Sequence, residues 1–534
     1  MEIGLESHIP TYAGGLGVLA GDYLKSAADM GVDMVGVSLL YNKGYFRQHI
    51  VGDRQVESHD AFRPERCMRE LPQRVSLRLM GEEVSVRAYQ YTIEGRKGNV
   101  PVLFLDTNDG MNPEGLCRLT DCLYGGDHRY RIAQEGILGI GGVRMLADMG
   151  YDADVYHLNE GHGAFATGEL ERLMGDEARE RTVFTTHTPV PAGHDRFNYH
   201  DVFEIVNEVP HSIREKGGDD VLNMTLLALN NSRAANGVSQ MHADVSREMF
   251  PGYDIIGITN GVHPQTWTGP EMKEVFDCHV PGWRDDPSLL GEAEKIPTDA
   301  LLEGHAYAKQ RLIEYTNTAN NTNMSTEPFT IGFARRFATY KRGDLILSHI
   351  ESLAKHGPLQ VIFAGKAHPH DHEGKSIIER IAGASLPEGI DVTFLENYNM
   401  RLGALLTQGC DAWLNNPRPP MEASGTSGMK AAHNGVPHIS TIDGWWPEAE
   451  GGGWTIPCTG SDAQDGHLLT KLIGELIVPT YSDAHAWGEM MRSSIRNAAF
   501  FNTNRMLEEY IQRLYVPQEV REESDARGFF GVAS

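Results

Sequence analysis

The sequence predicts an α/β fold made of two doubly wound halves facing a central cleft. Three observations predict it. Short apolar runs alternate with Gly-rich turns and amphipathic stretches, the pattern of mostly parallel sheets crossed by helices. The 534 residues are more than one domain needs at roughly 100–200 residues each. A polar, aperiodic stretch at 317–328 interrupts the alternation, and a second series opens at Phe329.

In chain order, 23–31 (YLKSAADMG) reads as the end of a helix closed by Gly31, because glycine accepts the left-handed C-terminal position. Residues 100–107, 154–159, 181–188 and 255–259 read as strands of the first half. Thr298 to about Thr316 is charged and helical in pattern, and 317–328 reads as a surface loop near the joint. Residues 329–336, 359–365 and 391–397 read as strands of the second half. This gives two Rossmann-like domains, 1–262 and 263–534, with the last helices expected to pack back on the first. In such sheets ligands bind outside the C-terminal ends of the strands, and nearly all the motifs below fall just after predicted strands.

The formal net charge of −26 repels phosphate backbones and disfavours nucleic-acid binding. It fits a neutral polymer as substrate. Cysteines 67, 117, 122, 278, 410 and 458 form no zinc-type spacing and read as free thiols of a reducing cytoplasm. The start, MEIGLESHIP, lacks the basic and apolar regions of a signal peptide. No apolar run approaches the ~20 residues of a membrane span, so no membrane partner is expected.

Five motifs carry candidate chemistry. In EASGTSGMK (422–430), the small residues from Ser424 to Gly428 can offer backbone N–H groups to a phosphate. Lys430 follows one turn into the expected helix. In GFARRFATYKR (332–342), four cations follow a strand end in an acidic protein, which suggests an anion pocket: Arg for bidentate contacts, Lys as a point charge. YAGGLGVLAGD (12–22) is a glycine loop before an amphipathic helix, but not a full dinucleotide fingerprint, so a nicotinamide enzyme is disfavoured. His187 and Asn260 sit at strand ends; alone, such residues are more often structural hydrogen-bonders. HLNEGHGAF (157–165) offers Glu160 and His162, and KAHPHDHEGK (366–375) offers three histidines with Asp371 and Glu373. A His-rich polar loop is usually solvated, and no metal is expected.

Together these strings resemble the α-glucan phosphorylases, which act on glycogen, starch or maltodextrin. The stretch NNPRPPMEASGTSGMKAAHNGVPHISTIDGWW (415–446) resembles their shorter bacterial and archaeal branch, and the match runs from residue 1 to about 516. The resemblance implies a GT-B-type glycosyltransferase architecture and a pyridoxal 5′-phosphate cofactor. The implied reaction is reversible, retaining phosphorolysis of an α-1,4-glucan to α-glucose 1-phosphate. It makes Lys430 the Schiff-base lysine and Thr426 and Ser427 donors to the cofactor phosphate. Arg335, Tyr398 and Trp267 would lie beside the cofactor. Arg336 and Lys341 would bind the substrate phosphate, under a loop formed by Gly14, Gly15 and Leu16. Glu422, Ser424, Gly425 and Tyr340 would contact the sugar, with His187 and Asn260 on its 6-hydroxyl side and the His187 carbonyl facing C1. Glu160 and His162 would line the cleft behind them. The implied partners are glucan, phosphate and glucose 1-phosphate. Family members are often dimers, which makes a homodimer the assembly to test.

The family carries roughly another hundred residues before the string that Met1–Leu5 resembles. The expectation is therefore a shortened or mis-called start, with no phosphorylation segment or nucleotide-effector site and thus no regulation. Two rivals are a nucleotide-sugar glucosyltransferase of the glycogen-synthase kind and an inactive glucan-binding relative. The first would place a second Glu eight residues after Glu422, where this chain has Lys430. The second would not need Lys430, Arg336, Lys341 and Glu422 together.

Overall fold

The computed structural model describes residues 1–517; the last part of the expected second domain, 518–534, lies outside the described residues. The chain is a mixed α/β fold. Its first strands are β1 (Gly36–Leu39), the hairpin β2 (Arg47–Val51) and β3 (Arg54–Ser58), then β4 (Arg69–Leu79), β5 (Glu82–Glu94) and β6 (Asn99–Asp106). The sheet order is β1-β6-β5-β4. Only β1 and β6 pair in parallel; β6–β5 and β5–β4 are antiparallel. This corrects the expectation of mostly parallel pairing at the front of the chain. The β4–β5 connection is the two residues Met80 (φ 54) and Gly81 (φ 84), a left-handed pair that suits a tight hairpin. Methionine is not a turn residue, so the sequence hides the turn.

Further on come β7 (Tyr156–Asn159), β8 (Thr182–Thr185), the short pair β9 (Arg196–Phe197) and β10 (Leu222–Asn223), β11 (Ala234–Gly237) and β12 (Ile255–Gly257). They include a parallel four-stranded sheet, β12-β11-β8-β7. The remaining strands are β13 (Phe329–Ala334), β14 (Leu359–Ala364), β15 (Ile390–Leu395), β16 (Ala412–Asn415), β17 (His438–Thr441) and β18 (Gly453–Ile456). They form an all-parallel sheet in the order β15-β14-β13-β16-β17-β18. Counted within the sheet this is 3-2-1-4-5-6, with the chain reversing direction of travel between β13 and β16. β13 and β14 are buried along their whole length, as expected of strands covered on both faces.

The helix expected to end near Thr316 spans Thr298–Asn320 and closes at Asn321 in a left-handed conformation. The loop is therefore shorter than 317–328. It folds back on the helix: Asn317 donates to Met324 O (2.8 Å) and accepts from Met324 N (2.8 Å), so 317–320 is held in the last turn. The helix Gly15–Met30 contains the expected 23–31 segment and ends at Gly31, φ 74. Late in the chain, the helix Thr503–Tyr510 lies against it, with Ser26 Oγ within 2.6 Å of Thr503 Oγ1. Among the described residues no helix is long and apolar enough to cross a membrane.

Candidate active site

The strand ends and loops that the sequence singles out form three groups, around Lys430, around Glu422 and in the loops of the four-stranded parallel sheet. Lys430 lies in the short helix Ser427–Ala432, one turn from its start. Its side chain is buried, and Nζ sits 3.7 Å above the Trp267 ring. Burial lowers the amine to about 8, opposed by the charge of Asp22. Trp267 is itself fixed: its Nε1 donates to Asp22 Oδ2 at 2.6 Å, and Asp22 also accepts from His263 N at 3.2 Å. Asp22 is wholly buried, and its Oδ1 has no hydrogen-bond partner. Sequence reasoning missed Asp22. The signal was present, because Val18, Asp22 and Ser26 form one buried helical stripe in which a carboxylate is out of place.

A second group forms around Glu422. Arg335, just past β13, donates from Nη2 to Glu422 Oε2 at 2.8 Å, and Lys341 donates to the same oxygen at 2.7 Å. All three are buried. Burial alone would raise the Glu422 carboxyl, but Arg335 and Lys341 hold it down at about 2. Arg335 keeps Nε and Nη1 without partners. The Lys341 amine lies 4.7 Å from the centre of the Tyr340 ring. Arg336 is exposed, beside Tyr340, Tyr45 and Tyr124. Tyr398, half-buried, is close enough to Arg335 to sense its charge. A second missed residue stands behind this group. Asp443 is wholly buried, and its Oδ2 accepts from Glu422 N at 2.9 Å.

The third group comes from the four-stranded parallel sheet. β8 stops at Thr185, so His187 lies in the loop after it. Its ring contacts Asn159 Oδ1, and its backbone N–H donates to Glu160 Oε2 at 3.3 Å. Burial lowers the imidazole to about 3, so it is neutral. Glu160 is pushed up to about 7 by burial, against hydrogen bonds from Thr188 and His187. His162 is buried, 3.5 Å from Asp195. Asn260, after β12, is buried with Oδ1 unpartnered.

Gly14 and Gly15 open the helix Gly15–Met30, and Leu16 follows in its first turn. A methyl group built on either glycine meets nothing within 4 Å, so the backbone there faces open space. Gly14 N donates to Glu2 Oε2 at 3.1 Å. In the 422–430 loop, Gly425 adopts φ 82 and Ser424 Oγ is buried without a partner. Thr426 precedes the Ser427–Ala432 helix, and Ser427 Oγ accepts from Trp413 Nε1 at 3.1 Å. Buried polar atoms without a partner include Arg335 Nε and Nη1, Ser424 Oγ, Asn260 Oδ1 and Asp22 Oδ1. Such a set fits an anionic, hydroxyl-bearing ligand. Among the described residues no three metal-type side chains are grouped closely enough to hold an ion.

A model of the carbohydrate phosphorylase family matches residues 6–96 and 199–448. The chain belongs to the carbohydrate phosphorylase family. A maltodextrin phosphorylase of Thermococcus litoralis is 38% identical, with 96% of this chain and 70% of the relative covered. A glycogen phosphorylase of Mycobacterium tuberculosis is 35% identical over 97% of this chain and 70% of its own length. One from Aquifex aeolicus is 32% identical over 96% and 85%. The family match spans all three groups apart from the β7–β8 loops: the glycine loop, the Arg335–Lys341 segment and the 422–430 loop each lie inside it.

Proposed function

We propose that this protein is an α-1,4-glucan phosphorylase that uses pyridoxal 5′-phosphate and retains the anomeric configuration. Two Rossmann-like domains, 1–262 and 263–534, would face each other across the cleft in a GT-B-type arrangement. The observation that carries the reading is one loop, 422–430, which bears both Glu422, locked between Arg335 and Lys341, and the buried amine of Lys430.

The residues fit the cofactor. Lys430 has a buried amine lowered to about 8, so a useful fraction is neutral and nucleophilic near neutral pH. Trp267 supplies a flat apolar floor beneath it. Thr426, Ser427 and the free guanidinium nitrogens of Arg335 would hold its phosphate, with Tyr398 at its edge. When bound, the cofactor supplies a phosphate group able to exchange a proton with the substrate phosphate.

The remaining chemistry belongs to this chain. Arg336, exposed and hydrogen-bonded to Tyr340, would receive inorganic phosphate, and Lys341 would add charge. The open backbone at Gly14–Gly15 would cover the anion from the other side. Glu422 is fully ionised at working pH, so it accepts sugar hydroxyls and cannot act as a general acid. Asp443 is raised to about 7, mainly by burial, but its two oxygens are taken by the N–H groups of Glu422 and Gly444. Glu422 and Asp443 therefore do not act as the acid and base pair of a glycosidase. Proton transfer and attack at C1 fall to the substrate phosphate, positioned and charge-balanced by the cations. Neutral His187 and the unpartnered Oδ1 of Asn260 suit the sugar's 6-hydroxyl side. The six cysteines are free, which suits the cytoplasm.

The test is direct. Purified protein should carry a pyridoxal absorbance, borohydride should fix it to Lys430, and Lys430→Ala should lose both cofactor and phosphorolysis. A colourless protein that transfers glucose from a nucleotide sugar would overturn the reading.

A further inference from the structure

Glu422 sits in a segment with no helix or strand of its own, between β16 and the Ser427–Ala432 helix. Something else must fix its carboxylate between Arg335 and Lys341. Three ties do so, and all act on the backbone of 422–424. Glu422 N donates to Asp443 Oδ2 at 2.9 Å. Ala423 O accepts from Ser239 Oγ at 2.8 Å, a bond reaching in from the loop after β11. Ser424 O accepts from Trp445 N at 3.0 Å.

Two of the three come from one turn, Asp443–Trp445, just after β17. The turn is itself tightly set. Asp443 Oδ1 accepts from Gly444 N at 2.9 Å, so the carboxylate braces its own turn while holding Glu422. Gly444 adopts φ 59, and a methyl group there would meet Ser424 O at 2.3 Å. Only glycine lets the turn come this close. The turn therefore clasps the Glu422–Ser424 backbone at both ends and engages neither side chain: the Glu422 carboxylate is left to Arg335 and Lys341, and Ser424 Oγ has no partner.

We propose that Asp443 is a positioning residue for phosphorolysis: through Glu422 N it fixes the sugar-binding carboxylate at the height where Arg335 and Lys341 can share it. The claim rests on Glu422 contacting sugar in the proposed reaction. An amide at 443 keeps the shape but has one acceptor oxygen for two N–H donors. Either Glu422 N or Gly444 N then faces an NH2 group, and the loop shifts. A displacement of about 1 Å at a reacting centre costs on the order of 10²-fold in rate.

The experiment is a double-mutant cycle on the cofactor-loaded enzyme with Asp443→Asn, Glu422→Gln and both together. Asp443→Asn is expected to lower kcat for glucan phosphorolysis by about 10–100-fold, with cofactor content unchanged and KM for phosphate within about two-fold. In the Glu422→Gln background it should change kcat by less than about three-fold, because the bond to the 422 N–H remains but the carboxylate it positions is already gone. Full additivity, or wild-type kinetics in Asp443→Asn, would falsify the proposal. If Asp443→Asn does not fold, Ser239→Ala, which removes the tie on Ala423 O, enters the same cycle, and additivity there overturns the clasp equally. A wild-type protein without phosphorolysis would remove the reaction itself, a result distinct from an active enzyme whose two variants add.

Discussion

At the scale of single residues, charge and burial decide what each group does. Lys430 has its amine lowered by burial to about 8. The cofactor-free chain should react with pyridoxal phosphate through the neutral amine, so the rate should rise with pH and level off near 8. Absorbance stopped-flow from pH 6 to 10 measures this; a rise continuing to pH 10 would mean an unperturbed lysine. Glu422 makes the opposite case. Its folded-state value of about 2 lies below its ordinary 4.5. The stabilisation it provides is complete above pH 4.5 and is lost as pH falls toward about 2. Glu422→Gln leaves Arg335 and Lys341 buried without their anion, which costs about 3–5 kcal/mol. Urea unfolding at pH 7 should show that loss, added phosphate should recover part of it, and the difference from wild type should shrink in acid.

At the scale of elements, the helix Gly15–Met30 shows how packing and function share one segment. Gly21 carries no side chain because a methyl group there would fall 1.8 Å from Gly4 O. Gly21→Ala must push the helix away from Gly4, an overpacking error of about 1–3 kcal/mol or more, and its melting temperature should fall. Gly15→Ala faces open space and a helical first turn. It should keep its melting temperature while weakening phosphate binding several-fold, read as KM. The buried parallel strands β13 and β14 were legible in the sequence because largely apolar runs ending in Gly or charge have few alternatives. The β4–β5 hairpin was not, since its turn is Met80-Gly81 and its strands carry scattered charge on a solvated face. Lys430, Arg335, Lys341 and Glu422 were legible because they stand in compact strings. Asp22 and Asp443 act on partners 245 and 21 residues away, so no local pattern marks what they hold.

At the scale of the whole molecule, the site depends on ties between distant parts of the chain. Ser239 reaches Ala423, Gln240 N and Thr259 Oγ1 both donate to Glu448, and Asp22 holds Trp267 and His263. The helix Thr503–Tyr510 adds the tie that bears most directly on substrate. Arg505 donates from Nη2 to Thr259 O at 2.7 Å and to Asn260 O at 3.1 Å, and Glu509 takes its Nη1 at 2.8 Å. It thereby fixes the backbone of Asn260, whose unpartnered Oδ1 is proposed for the sugar side. Two charge-assisted bonds of this kind contribute about 1.5–3 kcal/mol each, and part of that is positional. Arg505→Ala should leave cofactor content intact, because none of its bonds reaches Lys430 or Trp267. It should lower kcat/KM for glucan by about 10–100-fold, with KM for phosphate unchanged. Steady-state kinetics with each substrate varied in turn separates the two. Cofactor loss in Arg505→Ala would mean that the late helix supports the Lys430 pocket instead of the Asn260 loop.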